Sequence, residues 1–237
     1  MPNNYFQFKQ FTVYQDACAM KVCTDACLFG SLIPHLPQKP LHVLDIGTGT
    51  GLLALMCAQQ CPAATIDAVE IDMAAAKQAS ENFAASPWGD RLKVWHTPIQ
   101  DFKPGKAYDM IISNPPFFEN DLKSDDAKRN LALHSAALGI VNLLHYVDNL
   151  LDDVGNFCVL LPYHRTKYFA DLALEKSLHL MQRVVVKQTP THNYFRSILL
   201  FSRKRSVIID KEVVIQDTER KYTDDFKALL KDFYLHL

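Results

Sequence analysis

Apolar positions change period repeatedly along the chain: short continuous runs alternate with stretches whose apolar residues recur every three or four positions. The runs at 41–46, 65–69, 92–96, 108–112 and 157–161 read as buried strands, and the periodic stretches at 52–61, 74–85, 138–151 and 167–177 as helices. Residues 181–187 and 197–203 follow with no helix between them and read as two arms of an antiparallel pair. Seven strands in this order predict an α/β fold, a mainly parallel seven-stranded sheet with an antiparallel terminal pair and helices on both faces. Ahead of it, 6–14 alternates in the manner of a short hairpin. Residues 21–30 read as a loop entering a helix, with Thr24 or Asp25 as its N-cap and Gly30 to Pro34 closing it. Beyond 203 the chain turns charged and ends in an amphipathic helix over 224–235.

The 237 residues fit one domain spanning 1–237, with extensions at 1–30 and 204–237. No run of 18 apolar residues occurs and the start has neither a basic nor an apolar leader region, so a soluble, cytoplasmic protein is expected, and a monomer. Six cysteines (Cys18, Cys23, Cys27, Cys57, Cys61, Cys158) fall singly, mostly in apolar patterns without nearby histidines, and read as buried free thiols rather than metal ligands. A net charge of -1 carries no nucleic-acid signature, but its distribution is uneven. Residues 1–159 hold 11 Lys and Arg against 17 Asp and Glu, and residues 160–237 hold 14 against 9. The last third could meet a polyanion, or simply be a solvated surface.

Two stretches carry chemistry. The strand at 108–112 runs into Ser113-Asn114-Pro115-Pro116-Phe117, and prolines cannot continue a hydrogen-bond ladder, so Asn114 is left at a strand's end with its amide free. Its carbonyl, a proline carbonyl with no local N–H partner and the face of Phe117 suit a planar group bearing an amine. A turn with a packed aromatic is the plainer structural alternative. The strand at 41–46 ends in Asp45-Ile46-Gly47-Thr48-Gly49-Thr50-Gly51, where alternate glycines let backbone approach a ligand closely. A dinucleotide fingerprint would need glycine at position 52, which is Leu52, so the loop favours a cofactor that presents no phosphate. Glu70 ends the next strand, placed to accept two ribose hydroxyls, while Asp72 reads as a helix cap.

Asp45 to Gly51 with Glu70 resembles the S-adenosylmethionine loop of class I methyltransferases, which have a Rossmann-like fold, and Asn114 to Phe117 resembles their amino-methylating motif. Phe8, the segment 20–25, Arg129-Asn130, His134 and Phe195-Arg196 extend the likeness to the bacterial enzymes that methylate N6 of adenosine 37 in a valine tRNA. Cys23 departs from a glycine common there. The resemblance implies S-adenosylmethionine as cofactor, held by Lys21, Thr24, Asp45, Gly47, Gly49, Gly51, Glu70, Asp101 and Asn114, and tRNA as partner, with no metal and no membrane. Asn114, Pro115 and Phe117 would be catalytic, and Pro116, Arg129 and Arg196 would face substrate. Lys128, Arg165, Lys187, Arg203, Lys204 and Arg205 are further candidates for RNA contact. A release-factor glutamine methyltransferase, a DNA adenine methyltransferase, a non-catalytic RNA-binding module and a nicotinamide oxidoreductase remain the alternatives.

Overall fold

The protein, represented by a computed structural model, is described over residues 3–18, 20–33, 40–116 and 139–237. Strands β1 (Tyr5–Gln7) and β2 (Thr12–Tyr14) form a small antiparallel pair, and α1 (Thr24–Leu32) follows. Then come β3 (His42–Ile46), α2 (Leu52–Gln60), β4 (Thr65–Glu70), α3 (Met73–Ala84), β5 (Leu92–His96) and β6 (Tyr108–Ser113). The second half runs α4 (Ile140–Leu150), β7 (Leu151–Pro162), α5 (Thr166–Glu175), β8 (His179–Lys187), β9 (Tyr194–Ser202), β10 (Ile209–Val214) and α6 (Asp224–Leu230).

The main sheet has eight strands in the order β10-β8-β9-β7-β6-β3-β4-β5, and β9 alone runs against the rest. The sequence pattern predicts seven. It misses β10 because Asp210, Lys211 and Glu212 fill the middle of that strand, which lies exposed at the sheet's rim, where charge prevents a further strand from adding. The strand expected at 157–161 is likewise longer, 12 residues. Helix α1 begins on Cys23 as N-cap, without a side-chain bond, so neither Thr24 nor Asp25 caps it. Asp25 sits inside its first turn, where a carboxylate favours the helix N-terminus. The helix continues through Gly30 to Leu32, and Pro34 lies outside the described residues. Cys23 is exposed and Cys18 half-buried; the other four cysteines are buried as free thiols.

Because successive strand residues point to opposite faces, the sheet has two cores. Val43, Ile66, Met110, Ile112, Leu160 and Leu200 pack under α1, α2, α3 and α6. Leu44, Ile46, Ile111, Phe157, Val159 and Phe201 pack under α4 and α5. The charged segment beyond 203 joins the first core through Val213, Ile215, Phe226, Leu230 and Phe233. Helix α6 ends at Leu230, short of the expected 235, and leaves Tyr234 free to bridge Phe8 and close over the β1–β2 pair.

One buried carboxylate braces the second core. Asp67 of β4 accepts from Trp95 Nε1 at 2.7 Å, from the Tyr108 hydroxyl at 2.9 Å and from Lys106 Nζ at 2.8 Å. Burial pushes its carboxyl up, but Lys106, Trp95 and Tyr108 together outweigh burial and hold it below the ordinary value. A lowered folded-state value means stability present above the unfolded carboxylate pKa, about 4, and lost as pH falls through the folded one. Asp67→Asn should therefore lower the urea midpoint at pH 7 but differ less from the parent at pH 3. An equal deficit at both pH values would show that the charge is not what braces this core.

Candidate active site

Ile46 of β3 lies opposite Ser113 of β6, so these neighbouring strands leave the sheet side by side. From β3 the chain passes to α2 on one face, and α4, next after β6 among the described elements, lies on the other. The two carboxyl ends thus diverge and leave a crevice, the position where ligands settle in open α/β sheets. Ser113 is buried and its hydroxyl donates to the Ile46 carbonyl at 2.8 Å, fixing the two ends together. Asn114 comes next. Its Oδ1 is shielded from solvent and has no hydrogen-bond partner among the described residues, with Pro115 buried and Pro116 half-buried behind it. Phe117, Lys128, Arg129 and His134 lie outside the described residues.

The glycine loop closes the other wall. Gly47, Gly49 and Gly51 have φ of 74°, 56° and 83°, a left-handed region that costs other L-residues about 1–2 kcal/mol. These angles fold the loop back on β4, where the N–H groups of Gly47 and Thr48 donate to the Val69 carbonyl at 2.9 and 3.2 Å. Glu70 then holds it: Oε2 accepts from the Gly49 N–H and Oε1 from the Asp72 N–H, both at 2.9 Å. Each oxygen keeps a further lone pair for another donor. Asp72 caps α3 by accepting from the Ala75 N–H at 2.8 Å, as its sequence position implies. Asp101 is exposed on a short 3₁₀ turn following β5, on the same edge of the sheet as Glu70.

Asp45 lies beneath the loop, fully buried. Its Oδ2 accepts from the Thr48 hydroxyl at 2.6 Å, while Oδ1 has no hydrogen-bond partner among the described residues. Burial pushes its carboxyl up to about 7, opposed by the Thr48 hydroxyl and the Ala54 N–H and reinforced by the like charge of Glu70.

Asn82 and Gln78 are not evident as site residues from the sequence. Asn82 of α3 is completely buried; its Nδ2 donates to the Thr50 and Tyr14 carbonyls, both at 2.9 Å, and its Oδ1 accepts from the Tyr14 N–H at 2.9 Å. Gln78, one turn earlier, accepts from the Ala17 N–H and donates to Asp16. Asn82 thus fastens β2 to the glycine loop, and Gln78 holds the segment that follows β2. The signal for them is an amide on the helix face that Ala75, Ala79 and Phe83 mark as apolar.

The hydrogen bonds therefore bring together Asp45, the three glycines, Glu70 and the end of β6 that bears Asn114. Other predicted residues are held by different contacts. Lys21 is exposed with its ammonium 3.4 Å from the Asn3 carbonyl, and Thr24 is the first residue of α1. Arg196 donates to Asp25 at 2.6 Å, an ion pair that joins β9 to α1. Because β9 is antiparallel, the RNA candidates divide between two edges: Arg165, Lys187 and Arg196 on the carboxyl edge with the crevice, Arg203 to Arg205 on the opposite one. Arg203 there binds Asp148 at 2.9 Å.

Chemically the crevice is walled by acceptors: the spare lone pairs of half-buried Glu70, with Asp45 Oδ1 and Asn114 Oδ1 shielded from solvent within the wall. Nothing lies within 4 Å of where a Cβ on Gly47 or Gly49 would stand. Such a lining repels a pyrophosphate and suits a cationic ligand with ribose hydroxyls and an amine, so S-adenosylmethionine fits the residues present.

The sequence matches the methyltransferase small domain over residues 28–138. It is 42% identical over 234 residues to the tRNA1(Val) (adenine(37)-N6)-methyltransferase of Flavobacterium psychrophilum, covering 98% of this chain and 100% of that one. It is 44% identical over 235 residues to the protein of that name from Flavobacterium johnsoniae, with 98% and 100% covered. Among solved structures it resembles one described as a predicted O-methyltransferase from Agrobacterium tumefaciens. The TM-score is 0.67 at 13% identity, over 88% of this chain and 96% of that one, a likeness of fold.

Gly49 and Gly51 separate ligand space from folding. A methyl at 49 enters open space, so Gly49→Ala should lower Tm by only the backbone cost, about 2–8 °C, yet abolish S-adenosylmethionine binding in calorimetry. A methyl at 51 would stand 2.5 Å from Phe83 Cε1, so Gly51→Ala should destabilise the whole protein. Equal Tm losses would refute the distinction. Asp45 gives the opposite pH slope from Asp67: a folded value raised to about 7 means that the ligand-free protein loses stability as pH rises from about 4 to about 7. The stability of Asp45→Asn relative to the parent should rise across that window, and a constant difference would show that Asp45 stays ionised throughout.

Proposed function

The chain belongs to the tRNA1(Val) (adenine(37)-N6)-methyltransferase family, and on that premise we propose that it transfers a methyl group from S-adenosylmethionine to N6 of adenosine 37 in tRNA1(Val), in the cytoplasm. The observation that carries the assignment to this crevice is the shielded Asn114 Oδ1 at the end of β6, beside the glycine loop, with no hydrogen-bond partner among the described residues. A buried amide oxygen without a donor costs about 1–3 kcal/mol, and a substrate amine would satisfy it.

The cofactor, when bound, supplies an activated methyl group on a sulfonium, so the protein needs no metal or strong base for the transfer. Its own part is placement. In this reading Glu70 receives the ribose hydroxyls on the lone pairs that Gly49 and Asp72 leave free, and Asp101 lies one strand further along the edge for the adenine amine. Asp45 faces the cationic end, where a positive neighbour favours its ionised form. The N6 of adenine is a weak nucleophile because its lone pair is delocalised into the ring. Asn114 Oδ1 and the Pro115 carbonyl would accept its two hydrogens, holding the nitrogen as it rehybridises. These acceptors stabilise the positive charge that grows there more in the transition state than before it. Phe117 would stack on the extruded base.

Asn114→Ala should reduce turnover by about 10²–10³-fold, the usual consequence of deleting one group aimed at transition-state charge. The measurement is incorporation of labelled methyl into tRNA from a strain lacking this protein, followed by nucleoside analysis. Label in N6-methyladenosine that disappears in the variant meets the expectation. Label only in added release factor would transfer the assignment to a glutamine amide, and full turnover by the variant would remove Asn114 from the chemistry.

A further inference from the structure

Beside the crevice, the carboxyl edge carries two tyrosines that the reaction does not use. Tyr163 follows directly on the end of β7 and is 38% exposed. Tyr194 opens β9, and their ring centroids are 4.9 Å apart with planes inclined at 43°. Neither ring is placed by simple strand alternation. A register shift between Val186 and Lys187 leaves Phe195 as the extra residue of β9, which puts Tyr194, rather than Phe195, opposite Lys187. Tyr194 is then fixed from two sides: its hydroxyl donates to Glu212, and Lys187 Nζ stands 4.6 Å from its ring centroid. Lys187 also pairs with Glu212 at 3.4 Å. An ion-paired sheet rim is common, but a ring pair held in one orientation on such a rim, Tyr163 exposed and Tyr194 half-buried, asks for a flat partner.

The setting gives that partner its chemistry. Of the basic residues in the last third, Arg165, Lys187 and Arg196 stand at this edge, with Lys187 paired to Glu212 and Arg196 to Asp25. His164, Arg165 and His192 stand on the two loops flanking the rings, and Glu212 is the carboxylate that faces them. Pro162 pairs with Arg196, and β9 is two strands from β6, so the rings lie about 10 Å or somewhat more from Asn114 across the edge. We propose that Tyr163 and Tyr194 form a stacking platform for an unpaired base of the RNA substrate close to the target adenosine, with Lys187 contacting the adjoining phosphate. This rests on the tRNA reading above. It assigns a second contact that holds the strand while the target base is turned into the crevice.

The test uses the whole protein, a fluorescent valine anticodon stem-loop, and anisotropy with S-adenosylhomocysteine present to prevent turnover. Tyr163→Ala with Tyr194→Ala should weaken binding by about five- to a hundred-fold, the usual effect of losing base–aromatic stacking, without changing the salt slope. Lys187→Ala should lower that slope by about 1. Cofactor affinity, measured by calorimetry on the same samples, should stay at the parental value, showing that the variants are folded. Replacing both tyrosines by phenylalanine should retain binding, and by leucine should not. Stem-loop affinity within two-fold of the parent in the double alanine variant, or full affinity with leucine, overturns the platform. A parent protein that binds the stem-loop no better than an unrelated hairpin overturns the tRNA reading itself, and the platform with it.

Discussion

A parallel sheet in which α2, after β3, lies on one face and α4, next after β6 among the described elements, lies on the other has two adjacent carboxyl ends that diverge. The candidate site residues Asp45, Gly47, Gly49, Gly51, Glu70 and Asn114 are arranged around that pair of ends. The Ser113 hydroxyl on the Ile46 carbonyl keeps them from splaying, the glycine loop arches over one, and the proline pair stops the other from finding a ladder partner. Were the crossovers on one face, helix would cover both ends and Asn114 would have nothing to face.

Around the crevice the protein uses few groups, each holding more than one thing. Glu70 clamps the glycine loop and the entrance to α3 with the two oxygens of one carboxylate. Asn82 joins the same loop to β2 through three hydrogen bonds. Buried networks of this kind are costly when partly satisfied, so the loop, the N-terminal pair and α3 hold their places together. Asp25 and Arg196 extend the arrangement, pairing at 2.6 Å across a sequence separation of 171 residues.

Much of this is legible in the chain because the signals are local. Glycines at 47, 49 and 51 demand a turn, the prolines after Asn114 end a strand, and Asp72 precedes an apolar period. What the chain conceals is set by tertiary neighbours. Strand β10 has no apolar alternation because it lies at the rim, and Asp25, which reads as a helix cap, sits inside the first turn of α1 with its carboxylate on Arg196, far away in sequence. Arg196 shows the same limit from the other side: next to Phe195 in sequence it reads as a substrate contact, and in space it is the partner of α1. Residue type implied a cation at the edge, but only the fold says what already neutralises it.

The contact between Phe8 and Tyr234 has a consequence for biosynthesis. The rings lie 6.1 Å apart and the Lys9 N–H donates to the Phe233 carbonyl, so the first strand pair is closed by residues translated more than two hundred positions later. Asn82 and Gln78 can seat one side of that pair while the chain is still emerging, but Phe8 stays uncovered until the segment after α6 arrives. On the ribosome, the sheet and its crevice can therefore form before the cover over the first strand pair is complete, and that pair is closed only once the segment after α6 has been made.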